Sequence, residues 1–260
     1  MMRSGIAAAL ALAVGLAGAF LGTRPAAAQT DEVQVYNAEI EEPGAFGLDW
    51  HNNYAAIGAK QAAFPGGVRP DGALNGVTEF SYGVNAWFEL GAYMPILYTV
   101  TRDGQFLVDG AKLRALFVVP NAKERTFFYG INFELGYSAR HWEPERVNQE
   151  FRPIAGLHLG RWDLIANPIV DLPLGRQMRP DFAPAERVAY NLTDAWALAV
   201  EHYADVGPIA DIAPPERQQQ TAYLVVDHAG APADVEFGIG HGFTGVSDPL
   251  IFKLILTRRF

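Results

Sequence analysis

Few side chains in this sequence have the types and spacing that covalent chemistry needs. There is no cysteine among the 260 residues, which removes thiol nucleophiles, thiolate zinc sites, disulfides and a lipid-bearing amino-terminal Cys together. Beyond residue 28 the serines are Ser81, Ser138 and Ser247. A serine nucleophile needs an imidazole within hydrogen-bond reach and a third group to orient that imidazole. Ser138 and His141 lie an odd number of positions apart, so on an extended strand they face opposite ways, and Ser247 is separated from His241 by a Gly-rich turn. No catalytic residue is expected, and the chain reads as a non-enzyme.

Metal ligation and nucleotide binding fare no better. His141-Trp142-Glu143-Pro144-Glu145 collects ligand-capable groups in a loop, and Glu201-His202 are strand neighbours that diverge; neither supplies an oriented ligand set, so no metal and no other cofactor is expected. The run Gly238-x-Gly240-x-Gly242-x-x-Gly245 does not open a helix after a strand, so a phosphate would find no helix N-terminus there. Asn191-Leu192-Thr193 fits a glycosylation sequon but reads as turn chemistry. The formal charge is −9, with only 19% charged residues. An acidic chain lacks the basic surface that releases counterions from phosphates, so nucleic acid is not an expected partner.

What remains is a scattered set of charged side chains, and the question is which elements hold them. No uncharged apolar run is long enough for a membrane helix beyond the amino-terminal segment. Apolar residues instead recur at every second position in segments of about ten residues, bounded by Gly, Pro, Asn and Asp. The candidate strands are Phe46–Ile57, Val77–Val84, Phe88–Tyr98, Gly110–Val119, Phe127–Ala139, Glu150–Leu159, Leu164–Leu172, Arg187–Tyr190, Trp196–Asp205, Thr221–Asp227, Val235–His241 and Leu250–Phe260. Their connections alternate. Those at 84–87, 160–163 and 191–194 are tight, whereas Ala59–Gly76, Gly175–Ala185 and Gly207–Gln220 are long and irregular. Short turns at one end and longer loops at the other, on an all-β chain, predict a transmembrane antiparallel barrel of about 12 strands (range 10–14).

The alternation sorts the faces. Ile131, Phe133, Leu135, Tyr137 and Ala139 share one face, and Asn132, Glu134, Gly136, Ser138 and Arg140 share the other. Applied throughout, this places Glu79, Glu89, Lys112, Arg114, Glu134, Arg140, Arg152, His158, Arg187, Glu201, Asp205, Glu236 and Lys253 in the lumen, with Asp171 and Asp227 beside them. If the lumen conducts, these are its selectivity candidates, with the arginines and lysines favouring carboxylate-bearing solutes. Trp87, Trp162 and Trp196 fall at the short turns and Trp142 at the opposite end. Amphipathic aromatics at both edges of an apolar band predict interfacial girdles against outer-membrane lipid.

The termini carry addresses. Arg3, an Ala/Leu/Gly/Val run and Ala26-Ala27-Ala28 have the order of a secretory signal, so residues 1–28 are expected to be cleaved. Residues 29–44 are read as a periplasmic lead-in or a luminal plug, and residues 45–260 as the barrel. At the other terminus, apolar Phe252, Leu254 and Leu256 at alternate positions and the last residue, Phe260, resemble the carboxy-terminal signal of Gram-negative outer-membrane β-barrel proteins. Arg258 stands where that class usually has an apolar residue. The resemblance implies the barrel-assembly machinery as a biogenesis partner and the cell outer membrane as the destination.

Asp49-Trp50-His51, Glu79-Phe80-Ser81-Tyr82-Gly83, Trp87-Phe88-Glu89-Leu90-Gly91 and Trp196–Glu201 are further similar to small proteobacterial barrels grouped as outer-membrane transporters associated with aromatic-degradation pathways. This resemblance implies a passive or weakly selective channel for small, anionic or aromatic solutes. The alternative is a non-conducting structural or interaction barrel whose external loops bind a ligand.

Overall fold

The computed structural model describes residues 32–175 and 179–260; the expected export segment lies outside them. The elements are β1 (Phe46–Ile57), β2 (Leu74–Asn85), β3 (Phe88–Val100), β4 (Phe106–Val118), β5 (Phe127–Ser138), β6 (Val147–Leu159), β7 (Trp162–Asn167), β8 (Val170–Pro173), β9 (Asp181–Phe182), β10 (Ala185–Asn191), β11 (Trp196–Asp205), β12 (Gln219–His228), β13 (Asp234–Gly242) and β14 (Leu250–Arg259). Every pairing is antiparallel between neighbours. The last strand returns to the first through β1–β14, and β5–β6 completes the ring. β7 and β8 both lie along β6 and form one strand interrupted at Pro168-Ile169, while β9 and β10 form one interrupted at Ala183-Pro184. Proline lacks the ladder N–H, and each interruption contains one. The result is a closed barrel of twelve strands with no exposed sheet edge. Among the described residues no helix is long and apolar enough to cross a membrane.

The period-two faces are those that the sequence predicts. Trp196, Leu198 and Val200 on β11 are exposed, and Ala197, Ala199 and Glu201 between them are buried. Phe252, Leu254 and Leu256 face outward on β14, with Lys253 and Ile255 inward. Apolar residues outside and charged ones inside invert the pattern of a water-soluble barrel. Trp87, Trp162 and Trp196 are each about half exposed at the short-turn end. They pair there with Phe88 and Phe117, Tyr190 and His228, and Phe260 lies at the same end.

Three expectations are corrected. Arg140 is not luminal: β5 stops at Ser138, and Arg140 stands exposed in the turn beyond it. Trp142 is not interfacial. Its N–H and that of Glu143 donate to Ala139, the turn folds inward, and the indole is 2% exposed. β2 and β4 begin three and four residues earlier than predicted, because Asn75, Thr99 and Asp109 extend the inward polar face and bond one another through Thr99, and β6 begins three earlier, where Val147 to Gln149 pair with β5.

Gly110 sits inside β4 with φ +153, where a Cβ would lie 2.0 Å from the Tyr137 carbonyl oxygen. The clash is with backbone, which cannot rotate away. Gly110→Ala should therefore cost about 1–3 kcal/mol. A smaller heat-modifiable fraction on refolding into detergent is the expected result; an unchanged fraction would show that this close approach is not required.

Candidate functional site

The inward side chains form clusters in which cations are shared between carboxylates. Arg114 on β4 meets Glu79 on β2 at 2.5 Å and Glu89 on β3 at 2.8 Å. Strand register explains this, since Gly91 faces Arg114 and leaves the guanidinium room over a position without a side chain. Arg187 bonds Glu201 and Asp227 and stands 3.6 Å from Glu236. Lys253, fully buried, bonds Glu201 and reaches Glu236 at 2.5 Å. Arg152 is held by Glu150 through two bonds of 2.7 and 3.1 Å. Lys112 pairs with Glu134 at 3.6 Å rather than with Glu79 or Glu89.

Residues 32–42 run through the interior and are bound by the same clusters. The Asn167 side chain accepts from the Tyr36 N–H at 2.7 Å and donates to its carbonyl at 3.0 Å, reproducing a strand pairing with one amide. Arg152 donates to the Gln34 carbonyl, Lys253 to that of Val33, and Glu89 accepts from the Glu41 N–H. The Arg152 guanidinium lies 4.3 Å from the centre of the Tyr36 ring. The Tyr36 hydroxyl is 2.8 Å from that of Tyr93, itself 2.9 Å from Glu32 and 3.0 Å from Glu134. Val35, Tyr36 and Ala38 pack on Leu116, Phe128, Ile154 and Ile165, and Val33 joins Tyr223 and Val225.

Two cavities flank this segment, and Gln34 lines both. One, of about 140 Å³, opens at the short-turn end among Glu41, Asp49, Glu79, Arg114 and Arg259. The other, of about 470 Å³, lies at the loop end. Its wall carries Glu32, Glu143, Glu150, Asp171, Asp205 and Asp248 against Lys112 and Arg152, with Tyr203 and Tyr223 beside them. Six carboxylates against two cations make this vestibule acidic. The expectation of an arginine filter for carboxylate-bearing solutes therefore loses its basis: Arg114, Arg152, Arg187 and Lys253 are already matched by carboxylates.

Of the other candidates, Asp205 accepts from the Gly207 N–H at the vestibule wall. His158 sits near the short-turn end, 2.6 Å from Asp163 and stacked on Phe128. Asn132 is buried on the luminal face as its alternation predicts, and His51, Tyr93 and Asn167 are buried luminal residues that the sequence reading did not pick out. For His51 the missed signal was Asp49, His51 and Asn53 at alternate positions of β1.

At the loop end, Asp71 ties Gly58, Lys60 and Arg102 together. The Lys60 ammonium, with the Gly58 N–H and the Arg102 guanidinium, holds its carboxyl down to about 2. A depressed carboxyl stabilises above its ordinary value and loses that contribution as pH falls through the depressed one. Proteolysis of residues 58–73 should accordingly stay slow down to about pH 4 and accelerate between pH 4 and 2, an acceleration that Asp71→Asn should show already at pH 7. In the lumen, Lys253→Met leaves Glu201 and Glu236 one cation short and should destabilise by about 3–5 kcal/mol. The urea midpoint of the folded band measures this, and a loss under about 0.5 kcal/mol would contradict the pairing.

No family model matches the chain, and no curated protein matches it in sequence. Solved structures do match in fold. An outer membrane channel from Pseudomonas putida F1 aligns over 88% of this chain and 100% of its own, with a TM-score of 0.55 at 14% identity. The NanC porin covers 81% of this chain and 97% of its own, with a TM-score of 0.54 at 6% identity. The KdgM porin, solved with oligogalacturonate, covers 82% and 99%, with a TM-score of 0.53 at 10% identity. Identities this low carry the architecture and not the solute: the chain has the fold of outer-membrane channel barrels.

Proposed function

We propose that the protein is an outer-membrane channel for small solutes, narrowed by its own residues 32–42 and favouring cations over anions at its external mouth. The observation that carries this reading is the acidic vestibule of about 470 Å³ ending on the lead-in segment. Low-dielectric walls focus the field of the acids in excess over Lys112 and Arg152 and raise the local concentration of positively charged solutes. The short turns and the carboxy-terminal end lie on the periplasmic side in this reading, residues 32–42 run from the external vestibule down to that side, and residues 1–28 direct export. The outer-membrane channel folds that align support the class; the vestibule supports the charge preference.

The non-conducting alternative has one specific observation in its favour: the chain between residues 33 and 41 separates the two cavities. Planar-bilayer recording of refolded protein distinguishes the two. Small, cation-selective events are expected, with conductance raised several-fold in Tyr36→Ala, which removes the ring under Arg152 and the bond to Tyr93. Silence in wild type and variant alike would support the closed barrel, and anion selectivity would overturn the vestibule argument.

A further inference from the structure

Inside the barrel, toward the short-turn end, lies a cluster that the channel reading does not use. Asp49 and His51 are two apart on β1 and so share the inward face. Glu79 stands directly opposite Asp49 in the β1–β2 register, which places His51 on the diagonal from it. One ligand-capable atom from each of the three lies within 4.8 Å of the others. His51 is 1% exposed and neither ring nitrogen has a hydrogen-bond partner; Nε2 is 3.6 Å from Glu79 Oε2, beyond a hydrogen bond. An imidazole buried without a hydrogen bond is costly. A gap of that size is close to the ~3.4 Å that separates nitrogen and oxygen ligands across a tetrahedral zinc.

We infer that Asp49, His51 and Glu79 form a binding site for a first-row divalent cation of the zinc type, reached through the adjoining cavity of about 140 Å³. Charge supports occupancy by a dication. That cavity is lined by Glu39, Glu41, Asp49, Glu79 and Glu89 against Arg114 and Arg259, five acids to two bases. Arg114 takes the other oxygen of Glu79, Oε1, leaving Oε2 toward His51, and Thr257 donates to Asp49, so both carboxylates are oriented from behind. A nitrogen ligand selects against magnesium and calcium, which prefer oxygen alone. Three protein ligands leave a position for water from the cavity.

The test is calorimetric titration of untagged full-length protein, refolded in detergent and freed of metal with EDTA, with Zn²⁺ and then Co²⁺. One ion per chain is expected, with a visible Co²⁺ spectrum of low coordination number and no competition from Mg²⁺ in excess. His51→Ala and Asp49→Asn should each weaken binding at least about tenfold, the loss seen when even a supporting group of a metal site is removed. Asp49 is only half-buried, so its variant keeps the test decisive should His51→Ala fail to fold. No uptake at millimolar Zn²⁺, or wild-type affinity in Asp49→Asn, would overturn the site and leave a plain His51–Glu79 ion pair. Neither outcome bears on conductance, so this inference stands or falls apart from the channel reading.

Discussion

The structure depends on the sharing of each buried cation between carboxylates across the barrel interior. Lipid-facing strands must turn apolar side chains outward, so the polar half of every strand is forced inside, away from bulk water. Charges there are tolerable only when paired, because an isolated buried ion costs several kcal/mol after relaxation. Arg114 between Glu79 and Glu89, Lys253 between Glu201 and Glu236, and Arg187 between Glu201 and Asp227 meet that condition. Each pair also bridges different strands. The clusters therefore hold the barrel's cross-section from within, where a soluble protein would use an apolar core.

The same pairing explains how the lead-in is held. An extended segment has no ladder partner of its own, and its backbone groups need replacements once buried. Asn167, Arg152, Lys253 and Glu89 supply them, the last three while keeping their ion pairs with Glu150, Glu236 and Arg114. Small inward residues make space for it: Ala189 and Ala199 on β10 and β11 face Val33, and Gly156 leaves its side to the Phe128 ring. The consequence is functional. With the arginines engaged, the net charge that a solute meets is set by the excess of acids over cations in the outer vestibule.

Much of the fold was legible because a barrel strand repeats at period two. Leu250–Phe260 and Trp196–Asp205 could each be sorted into a lipid face and a luminal face from their own residues, and the structure keeps both assignments. The illegible parts are those set by contacts distant in sequence. Trp142 resembles any other terminal tryptophan, and only the turn-closing bonds to Ala139 send it inward. Residues 29–44 could be read only as a periplasmic lead-in or a luminal plug, because the clasp between Tyr36 and Asn167 spans 131 positions and leaves no local trace. The charge balance of the lumen was likewise hidden, because listing the inward residues does not say which carboxylate each arginine has already taken.

Residues 32–42 occupy the barrel interior as a bound segment. Hydrogen–deuterium exchange of the intact protein in detergent tests it directly at the backbone. The Tyr36 and Glu41 amides, which donate to Asn167 and Glu89, should exchange as slowly as those of the barrel strands. Exchange at the rate of an unstructured peptide across residues 32–42 would contradict it.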